Sequence, residues 1–383
     1  MKQKKIVFLG THGQYNIGDE LLLETFLTQL GEEHRYSVNS YDPAFTTAQL
    51  QPRFQVDVFH TANERGRFLR SLWNCDLLFF GGGSIIKELY ASVGRSRYST
   101  LMMVLLTVTF THWLARKPIV MSNIGVGPIK TPWGLRLAGL ILRQVDILSV
   151  RDKKSYDTCL RIGLSPERVR LVPDAVFVTP PALLKAEECW SAAKKVRIAL
   201  NLNYNIENPN NWETFMQSLE RGLRAFNQHH PIEIHTLPMQ SQFNPDNDYK
   251  MLAAFRERIP EIEVHQHRPE TFREAAAIID QCDLLLAERL HSLVMAAILN
   301  KPFLALMYDV KVSELVNGLG MNDYAIDINT PFAPEQLETR LSKLIENSDA
   351  VGKHLQCRSG SLRQELTEYF QTLKQRLALS GSK

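Results

Sequence analysis

Short apolar runs alternate with stretches of helical periodicity along most of this chain, and that alternation constrains the fold more than any single motif. Repeated strand–helix–strand order marks parallel βαβ units, whose strands are buried on both faces and read as nearly continuous apolar segments. In the first half the expected strands are Lys5 to Leu9, Leu77 to Phe80, Ile119 to Ile124, Ile147 to Val150 and Arg170 to Leu171. The pattern starts again at Val196 to Leu202 and continues with Ile232 to Leu237, a weaker run at Ile262 to His265, Leu284 to Ala287 and Phe303 to Met307. Between the halves, Val178-Thr179-Pro180-Pro181 and the polar Lys185 to Glu188 read as a linker. A length of 383 residues exceeds what one core usually supports. The expectation is two α/β domains, residues 1–185 and 195–345, with a helix over about 360–380 crossing back onto the first.

Charge and cysteine content narrow the function classes. Lysine plus arginine total 44 against 41 acids, a net charge of +3, which argues against a nucleic-acid binder with its concentrated basic face. The five cysteines, Cys75, Cys159, Cys189, Cys282 and Cys357, are scattered and form no C-x-x-C pair, so a reducing, cytoplasmic setting without a zinc site is expected. Met1 to Lys5 leads into the apolar run Ile6 to Leu9, too short for a signal peptide and read as a first buried strand. Leu101 to Ala115 is the one membrane-like segment, and it falls short of the roughly 20 apolar residues a span needs. A buried helix is the first reading. Flanking Arg95, Arg97, Arg116 and Lys117 support a second, contact with a membrane surface or a lipid-linked substrate.

Chemistry concentrates where expected strands end. Ala287-Glu288-Arg289-Leu290-His291-Ser292 sets a guanidinium and an imidazole two residues apart where a strand gives way to a helix. In open α/β sheets ligands sit outside the carboxyl ends of the strands, facing helix N-termini with free N–H groups. Arg151 follows Ile147 to Val150 in a parallel position. Its bland partner is Asp152; its functional reading is a second cation that converges with Arg289 on an interdomain cleft and forks onto a carboxylate or phosphate. Lys311, after Met307-Tyr308-Asp309-Val310, adds a third cation, and His291 is placed to act as acid or base. Gly10 to Glu20 and Phe80-Gly81-Gly82-Gly83-Ser84 are glycine-rich strand ends that match neither a dinucleotide fingerprint nor a Walker loop. There Asp19 reads equally as a helix N-cap and as a site residue, Gly18 as a turn residue, and Lys87 and Glu88 as solvent-facing. Asn123 to Pro128 is a further glycine-rich strand end.

Tyr15-Asn16-Ile17-Gly18-Asp19-Glu20, Phe80 to Ser84, Ser149-Val150-Arg151-Asp152, Val172-Pro173-Asp174, Arg289-Leu290-His291-Ser292 and Tyr308-Asp309-Val310-Lys311 occur in an order and spacing that resembles the polysaccharide pyruvyl transferase family. The resemblance covers about residues 5 to 325. It implies two Rossmann-like domains facing a cleft, a GT-B-like arrangement, and transfer of a pyruvyl group from phosphoenolpyruvate to two hydroxyls of a cell-wall, S-layer-anchoring or exopolysaccharide sugar, giving a cyclic ketal. By the same resemblance Arg151, Arg289 and Lys311 hold the donor's phosphate and carboxylate, His291 is the acid/base, and Asn16, Gly18, Asp19, Gly82 and Gly83 face a sugar or lipid-linked acceptor. No metal cluster and no cofactor beyond phosphoenolpyruvate as co-substrate is expected.

Two rival functions differ in class. A nucleotide-sugar glycosyltransferase could use the same architecture, since fold does not fix function. Such enzymes often carry an E-x7-E pair; Glu288 has Ala296 at that spacing, which weakens this rival. A non-catalytic module that binds anionic sugars is the other, and His291 beside the arginine argues against it.

Overall fold

The computed structural model describes residues 3–89, 96–188, 190–191, 194–203, 209–240 and 247–379; Arg95 and Cys189 lie outside the described residues. Two parallel sheets organise the chain. The first comprises β1 (Lys5–Leu9), β2 (Arg35–Ser40), β3 (Gln55–His60), β4 (Leu77–Gly81), β5 (Ile119–Ile124), β6 (Ile147–Val150) and β7 (Val169–Leu171), in the order β3-β2-β1-β4-β5-β6-β7. The second comprises β8 (Val196–Asn201), β9 (Ile232–Thr236), β10 (Glu263–His265), β11 (Leu284–Ala287), β12 (Phe303–Met307) and β13 (Ala325–Asp327), in the order β10-β9-β8-β11-β12-β13. Counted from its own first strand, each sheet follows the 3-2-1-4-5-6 order of a doubly wound fold, which reverses between its first and fourth strands.

Burial explains why some strands are plain in the sequence. Every residue of β4, β5 and β11 is buried, so these strands are mostly apolar, and the two polar residues of β5, Ser122 and Asn123, are hydrogen-bonded in the core. By contrast β2 (RYSVNS) and β3 (QVDVFH) alternate polar and apolar residues, and β13 has three residues. None of these three is among the expected strands.

The chain divides into two compact units: residues 1–14, 19–178 and 364–383, and residues 15–18 and 179–363. Four residues of the first loop, Tyr15 to Gly18, thus belong to the second unit. The final helix, Ser348–Leu379, starts earlier than its polar sequence suggests, and its last part joins the first unit. There Leu366, Tyr369, Phe370 and Leu373 are at most 3% exposed, each contributing roughly 2 kcal/mol of apolar burial. Tyr369 Oη lies 2.7 Å from both Ser122 Oγ and Ser149 Oγ, so the phenol is satisfied within the core.

Leu101 to Ala115 is not a buried helix. A helix over Ser99–Thr109 continues into a wider π-type turn over Phe110–Ala115. Leu101, Val104 and Val108 enter the core, whereas Leu106 and Trp113 are each 67% exposed. No helix among the described residues is long and apolar enough to cross a membrane.

Candidate functional site

The second sheet reverses direction between β8 and β11, and the loops leaving these strands carry the charged residues. Asn201 ends β8, fully buried. Its Nδ2 donates to Leu237 O (2.8 Å) and to Asp248 Oδ2 (3.3 Å), while its Oδ1 accepts from the Arg289 backbone N–H at 2.9 Å. Arg289 lies two residues past the end of β11 and occupies the N-cap position of the helix Leu290–Ile298. Its guanidinium meets Asp248 with two donors, Nη2 to Oδ1 at 2.6 Å and Nε to Oδ2 at 3.2 Å, and reaches Gln240 Oε1 at 3.2 Å. Asp248 is 1% exposed and also accepts from Met239 N. Burial works against the Arg289 charge, but Asp248 outweighs it and holds the pKa above the ordinary value.

One edge of the guanidinium is therefore anchored by a buried carboxylate, which fixes its plane. The two N–H groups of Nη1 lie outside these contacts. An anchored fork of this kind can present the remaining edge to a planar anion.

His291 is the second residue of the same helix. Gly18 packs directly on its ring: a Cβ at position 18 would stand 2.0 Å from His291 Nδ1 and 2.7 Å from Cγ. Gly18 is thus a close-approach glycine and not the turn residue the sequence suggests. Its loop is fixed to the second unit by Ile17 N donating to Met239 O at 3.0 Å and by a bridge between Asn16 and Gln240. Gln240 consequently touches both the loop that carries Gly18 and the guanidinium of Arg289. Asn16 Oδ1 accepts from Gly18 N at 3.0 Å. Because the helix begins at Ile17, Asp19 lies inside the first turn and is not the N-cap; its Oδ2 accepts from Thr11 Oγ1 at 3.2 Å.

Further groups surround the pair. Tyr308 follows β12; burial pushes its phenol above the usual range, and Arg289 partly offsets this. Asp309 caps the helix Val310–Leu319 by accepting from Val312 N at 3.0 Å, so its carboxylate is committed to the helix start. Lys311 sits in that first turn. Cations at helix N-termini have the unfavourable sign for the dipole, and this unit places two of them, Arg289 and Lys311, at consecutive helix starts. A bound anion would relieve both. Glu288, absent from any role in the sequence reading beyond its missing partner, is fully buried with no donor in good geometry to either oxygen. Burial, more than the opposing Asn203 amide, holds its carboxyl well above the ordinary range.

Arg151 lies in the first unit after β6. Its partner is Asp174, at 2.9 Å with both side chains 7% exposed, and not Asp152, which caps the helix Lys153–Arg161 through Ser155 N. Asn123 explains the surrounding motifs: its Nδ2 donates to Pro173 O at 2.5 Å and its Oδ1 accepts from Ala175 N at 2.9 Å, clamping the turn that carries Asp174.

The glycines at the end of β4 and just after it have local causes. A Cβ on Gly81 would stand 2.2 Å from Phe8, and Gly82 and Gly83 adopt φ of +63° and +69°, which side chains rarely tolerate. A Cβ on Gly83 would meet Thr11 Oγ1 at 3.7 Å, an ordinary contact. Lys87 and Glu88 are not solvent-facing. Glu88 is 5% exposed and accepts from the backbone N–H groups of Lys130 and Thr131, each at 3.1 Å, buttressing the cap of the helix Pro132–Leu142. Lys87 is pulled below its usual pKa by burial, with Asp19 acting the other way.

Among the described residues, one group of metal-type donors is drawn together: Glu233, His235 and His265. It stands on β9 and β10, not on the loops after β8 and β11. A shallow groove lined by Lys5, Arg35, Gln55 and Arg67 lies against the amino-terminal halves of β1 to β3 and carries none of the constellation.

A family model described as polysaccharide pyruvyl transferase matches residues 16–310. Among solved structures, the chain is similar to Anabaena HepE in complex with UDP and glucose, at 16% identity and a TM-score of 0.64, covering 99% of this chain and 100% of that one. It is similar to a glycosyltransferase from Rickettsia africae at 10% identity and TM-score 0.61, covering 99% of each. It is also similar to UDP-GlcNAc 2-epimerase from Neisseria meningitidis bound to UDP-GlcNAc, at 11% identity and TM-score 0.59, covering 96% of this chain and 99% of that one. At these identities the likeness concerns the fold, which is GT-B-like.

Proposed function

The chain belongs to the polysaccharide pyruvyl transferase family and is thereby a transferase; from that premise we propose that it moves a pyruvyl group from phosphoenolpyruvate to two hydroxyls of a cell-surface sugar. The observation that carries this reading is the pairing of an anchored guanidinium, Arg289 on Asp248, with His291 two residues further on, at the point where the sheet order reverses. Arg289 and Lys311 bind the donor's phosphate and carboxylate. Arg151 is the further cation assigned to the donor, and Arg151→Ala is expected to raise the donor KM.

His291 moves the protons. In its protonated form it donates to the methylene carbon of the enol phosphate, which becomes a methyl group as positive character develops at the adjacent carbon. One sugar hydroxyl adds to that carbon, returning its proton to His291. The C–O bond to phosphate then breaks, and the second hydroxyl closes the ketal, its proton leaving with the phosphate. Fixed guanidinium and ammonium groups stabilise the departing charge without reorganising, so this chemistry draws on no cofactor beyond the co-substrate. Asn16, Gly18, Asp19, Gly82 and Gly83 are proposed to face the acceptor.

The acceptor is proposed to ride on a lipid at the inner face of the cell membrane. Leu106, Trp113 and Leu114 are 59–67% exposed beside the exposed cations Arg97 and Arg116, an apolar face with a basic border that suits an anionic bilayer surface. Co-sedimentation with anionic vesicles should fall in a Leu106→Ser/Trp113→Ser protein; equal sedimentation removes the lipid from the proposal.

The decisive assay mixes the protein with phosphoenolpyruvate and a panel of saccharide acceptors and follows phosphate release together with the ketal mass increment. Acceptor-dependent release supports the reading. Turnover of a nucleotide sugar with no release from phosphoenolpyruvate replaces it with the glycosyltransferase alternative.

A further inference from the structure

The edge of the second sheet gathers four side chains with no part in the reaction above. Strands β9 and β10 pair in register, Glu233 against Glu263 and His235 against His265. Alternate residues share a face, so Glu233, His235 and His265 point to the same side. There Glu233 Oε1 lies 3.3 Å from His235 Nε2, His265 Nε2 lies 3.3 Å from Glu263 Oε1 on the same strand, and one donor atom each of Glu233, His235 and His265 lie within 4.8 Å of one another. A tetrahedral zinc with bonds of about 2.0–2.2 Å sets neighbouring donors about 3.3 Å apart. The Glu233–His235 edge of such a tetrahedron is already in place, and a ring nitrogen of His265 stands within 4.8 Å of both residues' donors, so a modest turn from Glu263 toward them would close the set.

The surroundings fit as well. His235 Nδ1 lies 3.0 Å from His267 Nε2, and an outer partner on the far nitrogen is the usual means of aiming a histidine at a metal. His267 is itself held by its backbone N–H on Thr236 Oγ1 at 3.0 Å. The rings of His235 and His265 stack at 4.7 Å, and Trp190 covers His235 at 4.4 Å. The His235 side chain is 7% exposed and that of His265 is 41%, so the buried ligand is rigid while the outer one leaves an entry path. One feature opposes a cation: Arg197 Nε contacts Glu233 Oε1 at 2.8 Å. Binding requires this contact to move to the second carboxylate oxygen, where the guanidinium would serve as an outer partner.

We infer that Glu233, His235 and His265 form a site for a divalent transition metal of the zinc class, with His267 orienting His235 and solvent completing the coordination. Two imidazoles and one carboxylate select such a metal over Mg²⁺ or Ca²⁺, which prefer oxygen cages. The metal joins β10, whose three residues make it a weak edge strand, to β9, whose chain continues to Gln240. Its role is a staple on the edge of the sheet, independent of the pyruvyl transfer reading.

The test uses the full-length protein, freed of any histidine tag and stripped with a chelator, titrated with Co²⁺ and then Zn²⁺. The wild type should develop visible absorption typical of low-coordinate Co²⁺, saturating at one equivalent and lost on adding Zn²⁺, with no response to Mg²⁺. His265→Ala, at a half-exposed position, should lose the signal, whereas His267→Phe should weaken binding about 10- to 100-fold. His229→Ala, on an exposed helix end, should bind as the wild type does. Absence of the Co²⁺ signal in folded wild type, or equal binding by folded His265→Ala, overturns the inference whatever the catalytic assays show.

Discussion

The two sheets share one strand order, yet the loops at their points of reversal are filled in opposite ways. Beside β1 and β4 the first unit places close-packed glycines and buried polar groups in neutral form. His12 has no hydrogen-bond partner on either ring nitrogen, and burial lowers its pKa to about 3. Glu20 accepts from Gly13 N at 2.8 Å, and burial raises its pKa to about 8. Beside β8 and β11 the second unit places a guanidinium, 17% exposed, on a buried carboxylate, along with an imidazole, and a second cation at the next helix start. The same architecture thus supplies a location twice, and residue chemistry decides that the second location suits a dianion.

This contrast can be broken at its most expensive contact first. Asp248→Ala removes the partner of a mostly buried guanidinium and two backbone or amide donors' acceptor; chemical denaturation should show a loss of about 3–5 kcal/mol. A loss below 1 kcal/mol would mean that the pair is not buried as described. Gly18→Ala, next in size, pushes the His291 ring aside, and a displacement of about 1 Å can lower turnover on the order of 10²-fold with the fold and donor affinity kept. Turnover like that of the wild type would remove His291 from the packed position described here.

In the first unit the expected effects concern stability. Between pH 4.5 and about 8 folded Glu20 retains a proton that the unfolded chain has released, so it lowers stability as pH rises, by up to about 1.4 kcal/mol per pH unit. Glu20→Gln should match the wild type near pH 5 and gain on it toward pH 8 in urea titrations; parallel profiles would contradict a buried neutral Glu20. Gly83→Ala has room for a methyl group but keeps a positive φ, so a loss of about 1–2 kcal/mol is expected. Its acceptor KM then separates a ligand contact from a backbone requirement.

How far the sequence announced all this differs from element to element. β1, β5, β6, β11 and β12 have the ends that their apolar runs indicate, because strands buried on both faces tolerate little else. β2 did not stand out, because Asn39 and Ser40 at its end serve neighbouring segments: Asn39 Oδ1 accepts from Gly10 N of the first loop at 2.9 Å, and Ser40 Oγ meets Thr46 of the helix Pro43–Leu50 at 2.8 Å; β3 is half-exposed and alternates polar with apolar residues. Polar residues placed for loop contacts erase the strand pattern. Arg289 and His291 were legible as a strand-to-helix junction. Their supports were not: Asn201, Gln240, Asp248 and Gly18 come from four separate segments, and no local spacing joins them. The same holds for Arg151 with Asp174, where the adjacent Asp152 was the nearer guess, and for the histidines of β9 and β10, which only register brings together.

The division of labour between Arg289 and His291 is the central claim, and one paired measurement tests it: donor affinity by calorimetry and turnover by phosphate release, in His291→Ala and Arg289→Lys. The lysine keeps a positive charge opposite Asp248 but gives up the fork. His291→Ala should bind phosphoenolpyruvate as the wild type does and turn over about 10²- to 10⁴-fold more slowly, while Arg289→Lys should lose donor affinity. Wild-type turnover in His291→Ala, or unchanged donor affinity in Arg289→Lys, would contradict it.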